Sequence, residues 1–92
     1  MRDMTICGVA SLGMMSKAKT AREEGDHESA DKLDYLSDRA MNDMLDIGDS
    51  ISLHVNEIQL YVQDIYNGFI DDESFDTIDD VMKVYIHKFY KE

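Results

Sequence analysis

The sequence predicts an all-α fold, a small bundle of about four helices in a single domain spanning residues 1–92. Three observations support this prediction. The 92 residues include no proline and only five glycines, which favours long helices over a turn-rich β fold. Apolar residues make up 43% of the chain, too large a share for a disordered acidic tail. They also recur at steps of three and four, the spacing that places side chains on one side of a helix.

The first predicted helix runs from about Asp3 to Glu24, and Gly25 supplies its stop. Its apolar positions are Ile6, Val9, Ala10, Leu12, Met14 and Ala18. This stripe is the loosest of the four. Gly8 and Gly13 interrupt it, and each weakens a helix by about 1 kcal/mol relative to alanine.

The second predicted helix opens at Asp26 and ends at Gly48. Glu28 and Asp31 lie early in it, where the helix dipole favours negative charge. Its apolar positions are Ala30, Leu33, Leu36 (or Ser37), Ala40, Met44 and Ile47.

The third predicted helix begins at Asp49 or Ser50, either of which can cap it, and closes at Asn67-Gly68. A sustained seven-residue repeat is formed by Ile51, Val55, Ile58, Val62, Ile65 and Phe69, the strongest pattern in the chain. The alternation within residues 51–55 also fits a strand, but it stops at Glu57 whereas the helical pattern continues.

The fourth predicted helix starts near Ser74. The same stepping is repeated by Phe75, Ile78, Met82, Tyr85 and Phe89, and lysines at 83, 88 and 91 gather towards its end, where the dipole favours cations. The predicted loops include residues 20–26 and 67–73, and such short connections predict antiparallel neighbours.

The charge of the chain is large and unevenly distributed. Twenty acidic and nine basic residues give a net charge of −11. Residues 1–22 carry +3, residues 23–80 carry −16 and residues 81–92 carry +2. Between Arg39 and Lys83 there are eleven acids and no lysine or arginine. Solvated helices ordinarily mix both signs, because opposite charges four residues apart stabilise and like charges repel.

The acids also fall into rows. On the second helix, several acids lie opposite the apolar stripe, and acids three or four residues apart are separated by about 5 to 6 Å along the axis. That separation is of the order of the spacing between successive phosphates of a nucleic-acid strand. Acids of the later helices extend the array. The hypothesis is a set of phosphate-mimicking, partner-binding residues made of Glu28, Asp31, Asp34, Asp38, Asp43, Asp46, Glu57, Asp64, Asp72, Asp76, Asp79 and Asp80.

This charge excludes some partners and favours others. Contacts with phosphates need Lys and Arg, so we expect no direct binding to nucleic acid or to an anionic membrane. A basic protein is the expected partner. No stretch approaches the roughly 20 apolar residues of a membrane span, and residues 4–15 are a poor core for a signal peptide because Gly8, Ser11 and Gly13 interrupt them. The single Cys7 fits a reducing compartment, and we expect a cytoplasmic protein.

Neither a metal site nor a cofactor is expected. The histidines His27, His54 and His87 share no ligand spacing. A calcium loop read from Asp46 fails, because Ile51 occupies the position that requires glycine.

Catalysis is not expected either. Cys7 lies on an apolar stretch and is expected to be an inert core residue. The acids at 71–73 lie on a predicted loop, which gives them no reason to have separated pKa values. We therefore expect no enzyme activity.

The chain resembles the small acidic anti-defence proteins of bacteriophages, of which the anti-restriction nuclease inhibitor of T-even phages (Arn) is the type. The resemblance rests on length, the −11 charge, the base-free run from Ala40 to Met82, and acids in rows such as Asp31, Asp34 and Asp38. It implies a mimic of duplex DNA, often dimeric, that blocks restriction endonucleases or other DNA-binding proteins. It includes no defined motif and therefore assigns no site residues.

A second hypothesis is an acidic helical adaptor or regulatory module, antitoxin-like or transcription-modulating. Such a module would bind its partner through an apolar groove or a patch of methionine and tyrosine, and its acids would serve solubility. A homodimer is expected to lengthen the short acidic array, with the basic ends pairing with acids of the second copy.

Overall fold

A computed structural model describes residues 2–90 as four α-helices. They are α1 (Arg2–Glu23), α2 (His27–Ser50), α3 (Val55–Asp71) and α4 (Phe75–Lys88). Residues 2–90 contain no strand, which confirms the all-α bundle. No helix among these residues has both the length and the apolar character needed to cross a membrane.

The central element is α1, which packs against each of the other three helices. Residues 7–11 are all buried, so the helix is covered on every side over that stretch. A helix that is surrounded in this way needs no one-sided apolar stripe, which explains why its sequence pattern is loose.

The two glycines that interrupt this stripe are points of close contact between helices. A Cβ atom added to Gly8 would come within 2.7 Å of Met44 Sδ and would also overlap Val62. A Cβ on Gly13 would come within 2.8 Å of Ile78 Cγ2. The missing side chains therefore let α2, α3 and α4 pack closely onto α1.

Two helix-capping motifs form the turn between α1 and α2, one at the end of α1 and one at the start of α2. Gly25 adopts φ +84°, and the backbone N–H of Asp26 donates to Ala21 O at 2.8 Å, as in a Schellman motif. The Asp26 carboxylate then accepts from the Ser29 N–H at 3.2 Å and caps α2. Further along, the buried Ser11 and Ser37 hydroxyls hydrogen-bond between the two helices.

The predicted boundary between the second and third helices is wrong. Gly48 lies inside α2, which continues to Ser50. A side chain at position 48 would overlap Ile58, so this glycine makes room for α3 and does not end the helix. Asp49 and Ser50 therefore do not cap α3. That role belongs to His54, whose Nδ1 accepts from the Asn56 N–H at 3.2 Å.

Two apolar positions predicted for the core of the third helix are consequently at the surface. Ile51 lies in the turn and is 45% exposed, and Val55, the first residue of α3, is 41% exposed. Ile58 and Val62 are buried as the repeat predicts. Phe75 is likewise the first residue of its helix and is 53% exposed.

The end of the third helix was also placed too early. Asn67-Gly68 lies within α3, which continues to Asp71, and the connection to α4 is correspondingly short. Glu73 adopts φ 56° in that connection.

Candidate functional site: the acidic surface

The outer side of α2 carries four of the predicted acids. Glu28, Asp31, Asp38 and Asp46 are all exposed, on the side of the helix opposite the buried Met44. None of Glu28, Asp38 and Asp46 forms an ion pair with a basic residue in the described part of the chain. This face is not free of positive charge, because Lys32 and Arg39 are also exposed on α2.

Arg22 at the end of α1 partly neutralises the start of this row. Its guanidinium pairs with the Asp34 carboxylate and lies 3.5 Å from Asp31 Oδ1. The hydrogen bond with Asp34 is the main cause that raises the pKa of Arg22. Asp34 is therefore engaged inside the molecule, whereas the Asp31 side chain remains 80% exposed.

Asp43 turns towards α4 and does not face solvent with the others. Its Oδ2 accepts a 2.8 Å hydrogen bond from the hydroxyl of Tyr85, a fully buried side chain. Burial, followed by this contact with a negative carboxylate, raises the pKa of Tyr85 above its ordinary value. Asp43 is thus a structural acceptor as well as a charge.

The clearest row of acids lies on α3. Glu57, Asp64 and Asp71 follow one another at seven-residue intervals, all three are exposed, and α3 contains no lysine or arginine. Residues seven apart lie on the same side of a helix and about 10 Å apart along its axis. That step equals the axial rise of about three nucleotides of a DNA strand, at roughly 3.4 Å each.

The acids around the α3–α4 connection include both unpaired and ion-paired side chains. Asp72, Asp76 and Asp80 are exposed, and no basic side chain within residues 2–90 lies at ion-pair distance from them. Asp79 is half-buried and pairs with Lys17 Nζ at 3.0 Å.

Three further exposed acids belong to the same surface but were missing from the predicted set. They are Asp49, Asp71 and Glu73. Asp49 was interpreted as a helix cap, and the other two were assigned to a solvated loop. Because Asp71 ends the α3 row, the seven-residue interval from Glu57 was the signal that would have included it.

The base-free run from Ala40 to Met82, called the base-free block below, keeps most of its negative charges without an internal ion pair among residues 2–90. Of its eleven acids, only Asp79 is ion-paired within the described residues. The pair between Lys88 Nζ and Asp3 Oδ1, at 2.8 Å, instead joins α4 to the start of α1, so Lys88 is engaged outside the block.

The Cys7 thiol lies in the core of the bundle. Burial raises the pKa of the Cys7 thiol to about 12, so it is protonated at neutral pH. Within residues 2–90, no group of three or more His, Cys, Asp or Glu side chains is placed to hold a metal ion.

Comparison of the chain with protein-family models, curated protein sequences and solved structures gives no match.

Proposed function

We propose that this protein is a DNA-mimic inhibitor that occupies the nucleic-acid-binding site of a basic protein, such as a restriction endonuclease or another host defence protein. Its contact surface consists of the exposed acids that have no internal partner. The row Glu57, Asp64 and Asp71 on α3 is the centre of that surface. Glu28, Asp38 and Asp46 on α2 and the acids around the α3–α4 connection extend it.

One observation supports this proposal above all: ten of the eleven acids in the base-free block lack an ion-pair partner among residues 2–90. A surface that served only solubility would gain stability by mixing both signs, because opposite charges on a helix stabilise it and like charges repel. Lys17 makes the one ion pair with the block within residues 2–90, and the other lysines and arginines of that range form none with it. Retaining the repulsion is understandable if a basic partner neutralises the block on binding.

The spacing of the acids is a second support. A helix holds its side chains at fixed intervals, so the α3 carboxylates keep their step of about 10 Å without a ligand. A preorganised row loses little conformational entropy on binding, which favours affinity. Dimerisation, which would lengthen this row, stays a prediction.

The experiment starts with immobilised protein and a bacterial lysate, followed by elution of captured proteins with duplex DNA. The captured protein is then purified, and inhibition of its DNA binding is measured with a triple variant, Glu57→Gln, Asp64→Asn and Asp71→Asn. We expect this variant to lose most of the inhibition.

The matched control makes the same change in net charge at ion-paired acids: Asp3→Asn, Asp34→Asn and Asp79→Asn. It is expected to inhibit nearly as well as the unmodified protein. Equal losses in the two triple variants would show that only the total charge matters, and no loss in either would exclude the α3 row as the contact surface.

A second candidate function is an acidic adaptor or regulatory module. The observation that favours it is the exposure of tyrosine and apolar side chains, including Leu60 of α3, which is 66% exposed, and Tyr35 of α2, which is 54% exposed. The ring of Tyr35 meets Tyr90 edge-on at 6.5 Å, and Arg39 lies over Tyr90 at 5.0 Å. An adaptor would keep its affinity at high salt, whereas a charge mimic would not.

A further inference from the structure

An open apolar groove of about 520 Å³ runs over α1 between α2 and α3. It is lined chiefly by Leu12, Met41, Met44, Gln59, Leu60 and Gln63. We propose that this groove binds one amphipathic helix of a partner protein, about two turns long, with basic residues along both flanks.

The groove is bounded by α2 on one side and by α3 on the other, and Gly8 and Leu12 of α1 also line it. Leu60 on the rim is 66% exposed, the largest value among the exposed large apolar side chains of residues 2–90. Apolar surface left in water in this way gains free energy when a partner covers it.

The dimensions suit a short helix. The α3 wall extends from Asn56 to Gln63, seven residues or about 10 Å, which is about two helical turns. A helix of that length presents three anchors, at positions i, i+3 or i+4, and i+7. No strand edge is available in residues 2–90 for an extended peptide to pair with. The flexible side chains of Met41 and Met44 can adjust to such anchors.

The charges around the groove define the chemistry of the partner helix. Asp38 lies three residues before Met41, on the same flank of α2, and Asp49 follows at a helical interval of eight. Both are exposed and unpaired within residues 2–90. On the opposite wall, Glu57 precedes Leu60 by three residues and Asp64 follows it by four, so two exposed acids flank that rim as well. Lysine or arginine is therefore favoured on both flanks of the partner helix.

This inference goes beyond the proposed inhibition, because it depends on the apolar lining of the groove as well as on acids that the two proposals share. Met41 and Leu60 line the groove and carry no charge. Substituting these two residues removes the apolar lining and keeps every acid, so one proposal can fail while the other holds.

The test uses the full chain and a fluorescent synthetic helical peptide with leucines at i, i+4 and i+7 and lysines on both flanks. Binding is followed by fluorescence anisotropy. The variants Leu60→Gln and Met41→Gln are expected to weaken binding by about tenfold or more, since both side chains contact the anchors. Val84→Gln, at an exposed apolar residue of α4 outside the groove, is the matched control and should bind like the unmodified protein.

One peptide control tests the charges. A peptide with its lysines replaced by glutamine should bind more weakly. The proposal is overturned if the peptide does not bind, if a scrambled peptide binds equally well, or if Leu60→Gln leaves affinity unchanged. It is also overturned if the protein self-associates and Leu60→Gln abolishes that association, because a second copy would then be the occupant of the groove.

Discussion

The hydroxyl of Tyr85 donates a 2.8 Å hydrogen bond to Oδ2 of Asp43, and the tyrosine ring is fully buried between α1, α2 and α4. Asp43, one acid of the predicted row, is therefore not part of the outer surface. Its hydrogen bond joins α4 to α2.

Replacing Tyr85 with phenylalanine tests how much this contact stabilises the fold. We expect Tyr85→Phe to lower the free energy of unfolding by about 1.5 to 3 kcal/mol, because the hydrogen bond is made to a charged group. Urea denaturation measures the change. Tyr61→Phe, at an exposed position of α3, is the control and should alter stability little. A loss no larger than that of the control would show that the hydrogen bond contributes nothing.

The stability of the protein should fall as pH rises above about 9. Burial raises the pKa of Cys7 from its ordinary 9.0 to about 12. A group whose pKa is raised in the folded state contributes its stability below the unfolded pKa and loses it as pH rises towards the folded value. The pKa of Tyr85 is raised from 10.0 as well, so its loss begins at higher pH than that of Cys7.

The cysteine variant separates these two contributions. In Cys7→Ala, the loss of stability between pH 9 and pH 12 should be smaller than in the unmodified protein, as measured by urea midpoints at a series of pH values. If the two proteins show the same alkaline profile, the burial of the thiol is not its cause.

Two glycines of the helices should respond to alanine with opposite signs. Gly8→Ala is expected to destabilise the protein by about 1 to 3 kcal/mol, because its Cβ would overlap Val62 and Met44. Gly68 lies in α3 with nothing within 4 Å of an added Cβ, so Gly68→Ala should stabilise by up to about 1 kcal/mol through helix propensity. Thermal unfolding measures both. A Gly8→Ala variant as stable as Gly68→Ala would contradict the packing described for α1.

The N-cap residue of α2 should stabilise the fold more than the N-cap residue of α4. The Asp26 carboxylate bonds the Ser29 N–H, whereas Ser74 makes no side-chain cap bond. We expect Asp26→Ala to lower the urea midpoint and Ser74→Ala to change it little.

The contribution of Asp26 should also depend on pH. Its hydrogen bonds to Ser29 lower its pKa below the ordinary 3.8, so its contribution is present above that pH and is lost as pH falls further. A difference between Asp26→Ala and the unmodified protein that persists unchanged at lower pH would contradict this assignment.

The sequence predicted the number of helices well, but it placed two helix ends at glycines that lie inside helices, Gly48 and Gly68. Gly48 has the spacing of a helix stop, and only the fold shows that Ile58 occupies the room beside it. The same ambiguity made Gly8 a sign of weakness in the helix that proves to be central. A sequence alone cannot distinguish a glycine that ends a helix from one that admits a neighbour.

The excess of acids was likewise visible in the sequence, but the neutralisation of some of them by internal ion pairs was not. Arg22 lies nine and twelve residues from Asp31 and Asp34, separations that no helical pattern connects. The hairpin between α1 and α2 brings them together. The identity of the unpaired acids therefore follows from tertiary structure, whereas their excess follows from composition.

The central claim is that the unpaired acids take the place of DNA on a basic protein. The most direct test is a displacement titration, in which labelled duplex DNA bound to the purified captured protein is challenged with increasing concentrations of this chain at low and at higher salt. We predict full displacement, no ternary complex, and an affinity that falls by at least about tenfold between 50 and 200 mM NaCl, because the contacts are charged and exposed. A ternary complex that contains both the duplex and this chain, or an affinity that is independent of salt, would contradict the claim.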